Sequence, residues 1–123
     1  MEHSNKQYDI KLRCYEFSKN VIQFLNKIEF KRIHYSIADQ LLRSATSIGA
    51  NVIEGKSGNS KKNMISFFSI ALRSANETKY WLCLVRDTMD VDKTEANELI
   101  KEADEISRII GKSILTLKQN QEV

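Results

Sequence analysis

Residues 64–85 carry more apolar surface than one side of a helix can hold. One stripe at heptad spacing runs through Met64, Phe68, Ala71, Ala75, Thr78, Leu82 and Val85, and a second through Phe67, Ile70, Ser74, Glu77, Trp81 and Leu84. Ile65 and Leu72 add a third side. A surface helix keeps one apolar stripe and a polar face opposite, so a helix apolar over most of its circumference must sit among several neighbours. Four helices of a small domain do not conceal that much. The expectation is a homo-oligomer whose interface uses Phe67, Ile70, Trp81 and Leu84, with the preceding helix contributing. The rival reading is an apolar patch kept for a different protein.

The rest of the chain reads as helices arranged around this one. Its 123 residues contain no proline and only four glycines, so long uninterrupted helices and a single domain over 1–123 are expected. Ile10, Cys14, Phe17, Val21, Phe24 and Ile28 alternate in steps of four and three, which predicts a helix over about 9–28. The connection EFKRIHYS interleaves Lys31, Arg32 and His34 with aromatic residues, a pattern found where bases stack. The simpler reading is a loop that tucks Phe30, Ile33 and Tyr35 under itself. A second helix over about 36–55 places Ile37, Leu41, Ala45, Ile48 and Val52 on one stripe, with Gly55 just past its end. Ser44, Ser47, Gly49 and Ala50 lie beside that stripe and let neighbouring backbones approach. Gly49 costs a helix interior about 1 kcal/mol against alanine, which points to close packing there. Ser60 caps a third helix over about 60–87. A fourth over about 94–118 follows an acidic turn and leaves the tail QNQEV frayed. Its early Glu95, Glu98 and Glu102 and late Arg108, Lys112 and Lys118 complement the helix dipole. Short connections between such helices give an all-α, antiparallel up-down-up-down four-helix bundle.

Sites for chemistry are hard to find. GKS at Gly55–Ser57 resembles a phosphate-binding loop, but five residues separate Gly49 from Gly55 where four are required, and a helix precedes it instead of a strand. A di-iron bundle needs Glu-x-x-His on two helices, and the motif is absent. His3 and His34 are too few for a histidine-based metal site or triad and read as solvated side chains. Glu54 and Glu77 have no nucleophile or electrophile beside them. No catalytic residue, metal, cofactor or small-molecule substrate is therefore expected. Cys14 and Cys83 fall at or beside apolar helical positions and read as buried thiols. No apolar run approaches the ~18 residues a membrane span needs, and the polar N-terminus does not read as a signal peptide. The expected location is the cytoplasm, with no membrane partner.

Arg43, Ser47, Asn51 and Glu54 share one helical face. Antiparallel packing about a turn at Gly58 brings Arg43 close to Glu77, which predicts a buried Arg43–Glu77 pair supported by Ser47, Asn51 and Ser74. Charge is also sorted along the bundle. Residues 1–62 carry a net +5 and residues 63–123 a net −2. The topology gathers Lys6, Lys11, Arg13, Lys56, Lys61, Lys62, Lys112 and Lys118 at one end, and acids predominate at the other. Lys61 and Lys62 fall in the first turn of a helix, where the dipole disfavours cations, so stability does not account for them. In a ring of parallel subunits they form a repeated positive rim suited to RNA phosphates.

The run QLLRSATSIGANVIEG, the Gly/Ser/Lys turn and FFSIALRSANE resemble the bacterial four-helix-bundle family of 23S rRNA intervening-sequence proteins. The family's pattern of an Arg-Ala or Arg-Ser pair, a Ser, Asn-Ile-Ala-Glu-Gly and a later Ser and Glu corresponds to Arg43, Ser47, Asn51, Glu54, Gly55, Ser74 and Glu77. Ile53 stands where alanine is usual, and Arg73 where glycine often precedes the serine. The resemblance is specific over about 40–86. It implies a cytoplasmic homo-oligomer, a pentameric barrel, without established catalytic activity. The same fold serves as the accessory protein of diversity-generating retroelements, a basic barrel engaging RNA and a reverse transcriptase. The combined expectation is a non-enzymatic oligomer that binds RNA through its basic end. The alternative is a protein-binding scaffold or accessory subunit without nucleic-acid contact.

Overall fold

A computed structural model describes residues 9–58 and 60–121, all of their regular structure helical. Helix α1 spans Ile10–Asn26, and the Asp9 carboxylate caps it by accepting from the Leu12 amide at 3.2 Å. It ends two residues before the expected point because the Lys27 and Ile28 amides tighten onto the Phe24 and Leu25 carbonyls, both at 3.2 Å. A 3₁₀ turn at Arg32–His34 leads into α2, Tyr35–Gly55. His34 is half-buried, and its Nδ1 accepts from the Lys31 amide at 3.2 Å, so it holds the turn instead of standing free in solvent. The connection tucks in only Phe30. Ile33 and Tyr35 stay 79% and 60% exposed, contrary to expectation, because the short 3₁₀ turn directs them away from the core.

Helix α3 spans Lys61–Thr88, with the Ser60 hydroxyl accepting from the Asn63 amide at 3.2 Å. Helix α4 spans Lys93–Gln121, so the helical backbone runs on beyond the expected end at 118. Asp92 accepts from the Glu95 amide at 3.1 Å at its start. Among the described residues each helix has its backbone close to two others, in the order α1, α2, α3, α4 and back to α1. Consecutive helices are antiparallel, which makes the square up-down-up-down bundle. Its core is Phe17, Phe24 and Val21 of α1, Leu41, Ile48 and Val52 of α2, Phe68, Leu82 and Val85 of α3, and Ile106 and Ile110 of α4.

The crowded α3 owes its composition to this position between α2 and α4. Phe68, Ala71, Ala75, Leu82 and Val85 are buried, and Met64, Ile65, Leu72 and Trp81 pack against the core at its edges. Phe67, Ile70, Trp81 and Leu84 are half-buried within the single chain. Two flanking neighbours hide more of the helix than its apolar circumference suggested. Of the nine large apolar side chains left exposed among the described residues, six lie on α1 and α2 and one, Tyr80, on α3.

Glycine placement follows the same packing. A Cβ on Gly49 would lie 3.1 Å from the Cys14 Cβ, so the missing side chain lets α1 and α2 close up. Gly55 is the last residue of α2, not the residue after it, and a Cβ there would lie 3.0 Å from the Phe68 ring. The left-handed backbone of the turn falls on Gly58, at φ 82°. Gly111 is different, since a Cβ there meets nothing within 4 Å. Gly111→Ala is expected to stabilise the fold by about 0.5–1 kcal/mol, and Gly55→Ala to destabilise it by about 1–3 kcal/mol. Urea unfolding followed by circular dichroism distinguishes the two.

Candidate nucleic-acid interface

The α2–α3 turn, the first residues of α3 and the last turns of α4 meet at one end of the bundle. Lys79 reaches Asp104 at 3.1 Å and Arg86 reaches Asn97 at 2.9 Å, and this register sets Lys61 and Lys62 level with the far end of α4. Lys56, Lys61, Lys62 and Lys118 stand at that tip, all exposed. Lys112 lies six residues below Lys118, about 9 Å along the helix, and Lys11 stands exposed on the first turn of α1. None of these six lysines makes an ion pair with a described residue. The first turn of α3 contains no acid, so its free amides and dipole add to the lysines' field. Lys6 lies outside the described residues.

Arg13 does not belong to this set. Its Nε and Nη2 bind the Glu102 carboxylate at 2.7 and 2.8 Å, and Nη2 also reaches Glu105 at 2.6 Å. The hydrogen bond to Glu102 holds the guanidinium still more firmly protonated than usual, against the opposing effect of burial. Its charge ties α1 to α4 and is spent within the chain. At the opposite end Lys27 pairs with Glu95 at 2.8 Å, Arg86 with Asp87 at 2.8 Å, and Lys93 donates to the Arg86 carbonyl at 2.6 Å. Lys31 and Arg32 stay exposed there.

The polar line on α2 divides into two groups. Asn51 Nδ2 donates to the Ser47 carbonyl at 2.8 Å and the Ser47 hydroxyl at 3.0 Å, and the Ser74 hydroxyl donates to that same oxygen at 3.0 Å. A second pair lies one turn away, where Thr78 Oγ1 donates to the Ser74 carbonyl at 2.7 Å and sits 3.0 Å from Ser44 Oγ. The expected Arg43–Glu77 pair is not formed. Arg43 is 74% exposed and binds Asp39 of its own helix at 2.8 Å, while Glu77 faces solvent and accepts from Trp81 Nε1 at 3.1 Å. Each has a partner four residues away, which leaves the inter-helix seam to the uncharged hydroxyls. Glu54 is exposed at the end of α2, and Arg73 is exposed on α3. The Ser44–Thr78 pair escaped the sequence reading, although both residues fall on buried positions of their helices.

Cys14 is buried against Gly49, and burial, with the Glu102 charge second, pushes its thiol up to about 12. Among the described residues no group of three or more His, Cys, Asp and Glu is placed to hold a metal ion. No described helix is long and apolar enough to cross a membrane.

Fold and site together define an all-helical four-helix bundle with a polar seam between α2 and α3 and a lysine-rich end. The sequence profile of the 23S rRNA-intervening sequence protein family matches residues 6–112, and the chain belongs to that family. A crystal structure of a protein of unknown function from the S23 ribosomal protein family of Bacteroides thetaiotaomicron VPI-5482 superposes with a TM-score of 0.75. The two chains are 29% identical over 85% of this one and 97% of the other. No curated protein matches.

The two polar groups differ in burial, and so in what their loss should do. Thr78→Val removes a fully buried hydroxyl and is expected to destabilise the fold by about 1–2 kcal/mol. Arg43→Ala breaks an exposed pair within one helix and is expected to change stability by less than about 0.5 kcal/mol. Denaturant unfolding at low protein concentration measures both.

Proposed function

We propose that this protein is a non-enzymatic, cytoplasmic homo-oligomer, a pentameric barrel, that engages RNA through the lysine-rich end of its bundle. The observation that carries the reading is the cluster of Lys56, Lys61, Lys62 and Lys118, exposed and outside every ion pair among the described residues. Elsewhere in the bundle most cations are already engaged. Two of the four lysines stand at a helix N-terminus, where they weaken the helix and strengthen an anion site. Phosphates need point charges of this kind and no shaped pocket. Subunits arranged in parallel repeat the tip around a ring and multiply the weak contact of each copy. The half-buried Phe67, Ile70, Trp81 and Leu84 are the surface through which copies meet on this reading.

The test is the affinity for a single-stranded RNA, read by fluorescence anisotropy across a series of salt concentrations. Each lysine on a phosphate contributes about 0.7 to the slope of log K against log salt. The triple variant Lys56→Glu, Lys61→Glu, Lys62→Glu is expected to flatten that slope by about 2. Reversing Lys31, Arg32 and Lys101 instead is expected to leave it nearly unchanged. Absence of binding by the unaltered protein, or affinity indifferent to salt and to charge reversal at the tip, overturns the RNA reading in favour of a protein-binding scaffold.

A further inference from the structure

Of the four glycines, Gly111 is the one that the bundle does not explain. Gly49 and Gly55 let neighbours approach and Gly58 takes a left-handed backbone, whereas a Cβ at Gly111 would meet nothing within 4 Å. A glycine inside a helix weakens it, so folding alone does not select one there. Its surroundings follow from the α3–α4 register. Lys79 reaches Asp104 at 3.1 Å and Arg86 reaches Asn97 at 2.9 Å across that seam. Steps of seven stay on one flank of each helix, so Leu72 stands level with Gly111 and Ile65 with Lys118.

Arg108, Gly111, Leu115 and Lys118 follow Asp104 by four, seven, eleven and fourteen residues, which puts them on the same flank of α4. Leu115 is 62% exposed and stands one turn beyond Gly111, so an open leucine side chain borders uncovered helix backbone. Across the seam Leu72 and Ile65 are partly buried and pack against the edge of the core. Together these residues form a shallow apolar notch on the α3–α4 flank, about 10 Å below the lysine-rich tip. Its border is cationic, since residues 106–121 include Arg108, Lys112 and Lys118 and no acid. Arg108 binds Asp104 at 2.9 Å, while Lys112 and Lys118 are exposed and outside every ion pair among the described residues.

We infer that this notch receives one base of a single-stranded RNA whose backbone runs from the tip along α4, with phosphates on Lys118 and Lys112. The inference rests on the RNA reading above and adds a base contact to its phosphate contacts. The occupant must be thin enough to lie against helix backbone, present an apolar face and carry negative charge on both sides. A base on a sugar–phosphate chain meets all three conditions. Its flat face rests on Leu115 and the bare Gly111 backbone, and every base has such a face, so the contact tolerates any sequence. Leu115 lies midway between Lys112 and Lys118, which stand about 9 Å apart along the helix. The flexible lysine stems therefore reach the phosphates flanking one base. In a duplex the bases stay stacked inside, and the notch reaches none of them.

Two strands of equal length and charge test this, a single-stranded RNA and its abasic counterpart, with affinity read by fluorescence anisotropy across a salt series. The unaltered protein is expected to hold the base-bearing strand about five- to tenfold more tightly. Both strands are expected to give the same salt slope, because they offer the same phosphates. Gly111→Leu fills the notch and Leu115→Ser removes its wall. Each is expected to cancel the preference for bases and leave the slope unchanged. Both sites point away from the core, and circular dichroism checks that the variants fold. Ile33→Ser, at a residue 79% exposed on the opposite end, is expected to keep the preference. If the unaltered protein binds both strands equally, or if the two notch variants retain the preference, the assignment falls while phosphate contact at the tip stands. A lowered salt slope in the notch variants means that they act on phosphates, and the assignment falls. If neither strand binds, the assignment and the RNA reading fall together.

Discussion

Close approach of α2 to its neighbours is the constraint on which the other features depend. Gly49 against Cys14 sets the distance to α1, and Gly55 against the Phe68 ring sets the distance to α3. Between them Ser44 and Ser47 meet Thr78 and Ser74 as hydroxyl pairs at 3.0 Å, which larger side chains would wedge apart. Interiors packed to crystal density do not absorb an added methyl group without displacement. Because α2 ends directly on Phe68, the chain has only residues 56–60 in which to reverse before α3 begins at Lys61. That short reversal holds Lys56 beside Lys61 and Lys62. A packing requirement inside the bundle thereby fixes the spacing of charges on its surface.

Ion pairs act at a different level. Arg13 joins α1 to α4, and Lys79 joins α3 to α4 through Asp104, which also binds Arg108. The Lys79 hydrogen bond, and then that of Arg108, holds the Asp104 carboxyl below its ordinary range. Its stabilising effect is therefore present above the usual aspartate pKa and lost as pH falls through the depressed value. Exposed pairs of this kind contribute little to total stability but favour one helix register over its neighbours. They take up cations along the flanks of the bundle and none at the tip. Where the chain needs alignment its charges are paired, and where it does not they remain available.

Most of the architecture was legible because the core obeys a single period. The stripe from Ile10 to Phe24 and the one from Leu99 to Ile110 are buried as spacing alone requires, since both helices show one face to the core. Boundaries shifted by a few residues where local hydrogen bonding decided, as at Lys27 and Ile28. Two readings failed for physical reasons. Arg43 and Glu77 were brought together by topology, but partners one helical turn away hold them at the surface without desolvation. Ile33 and Tyr35 were expected to tuck under the connection, yet the 3₁₀ turn leaves both of them exposed. The signal for the exposed flank of α2 was present in Tyr35, Leu42 and Ile53, whose spacings of seven and eleven repeat one outward side of α2. It is hard to see in sequence because the same helix carries a stronger buried stripe at the same period.

Two features of the chain contradict what folding alone would select, and they lie on different surfaces. Lysines at the first positions of α3 oppose its dipole without a neutralising acid in that turn, so the isolated helix is weaker for carrying them. Large aliphatic and aromatic side chains on the outer flank of α1 and α2 add solvent-exposed apolar area that contributes little to the core. Departures from local consistency concentrate where a surface has another task. The lysines suit a polyanion, which apolar contact cannot hold, and the α1–α2 stripe suits a protein surface, which charge at the tip cannot reach. One bundle thus keeps its exposed apolar surface along its sides and its unpaired lysines at its end. On the proposed reading, assembly and phosphate binding therefore draw on different residues.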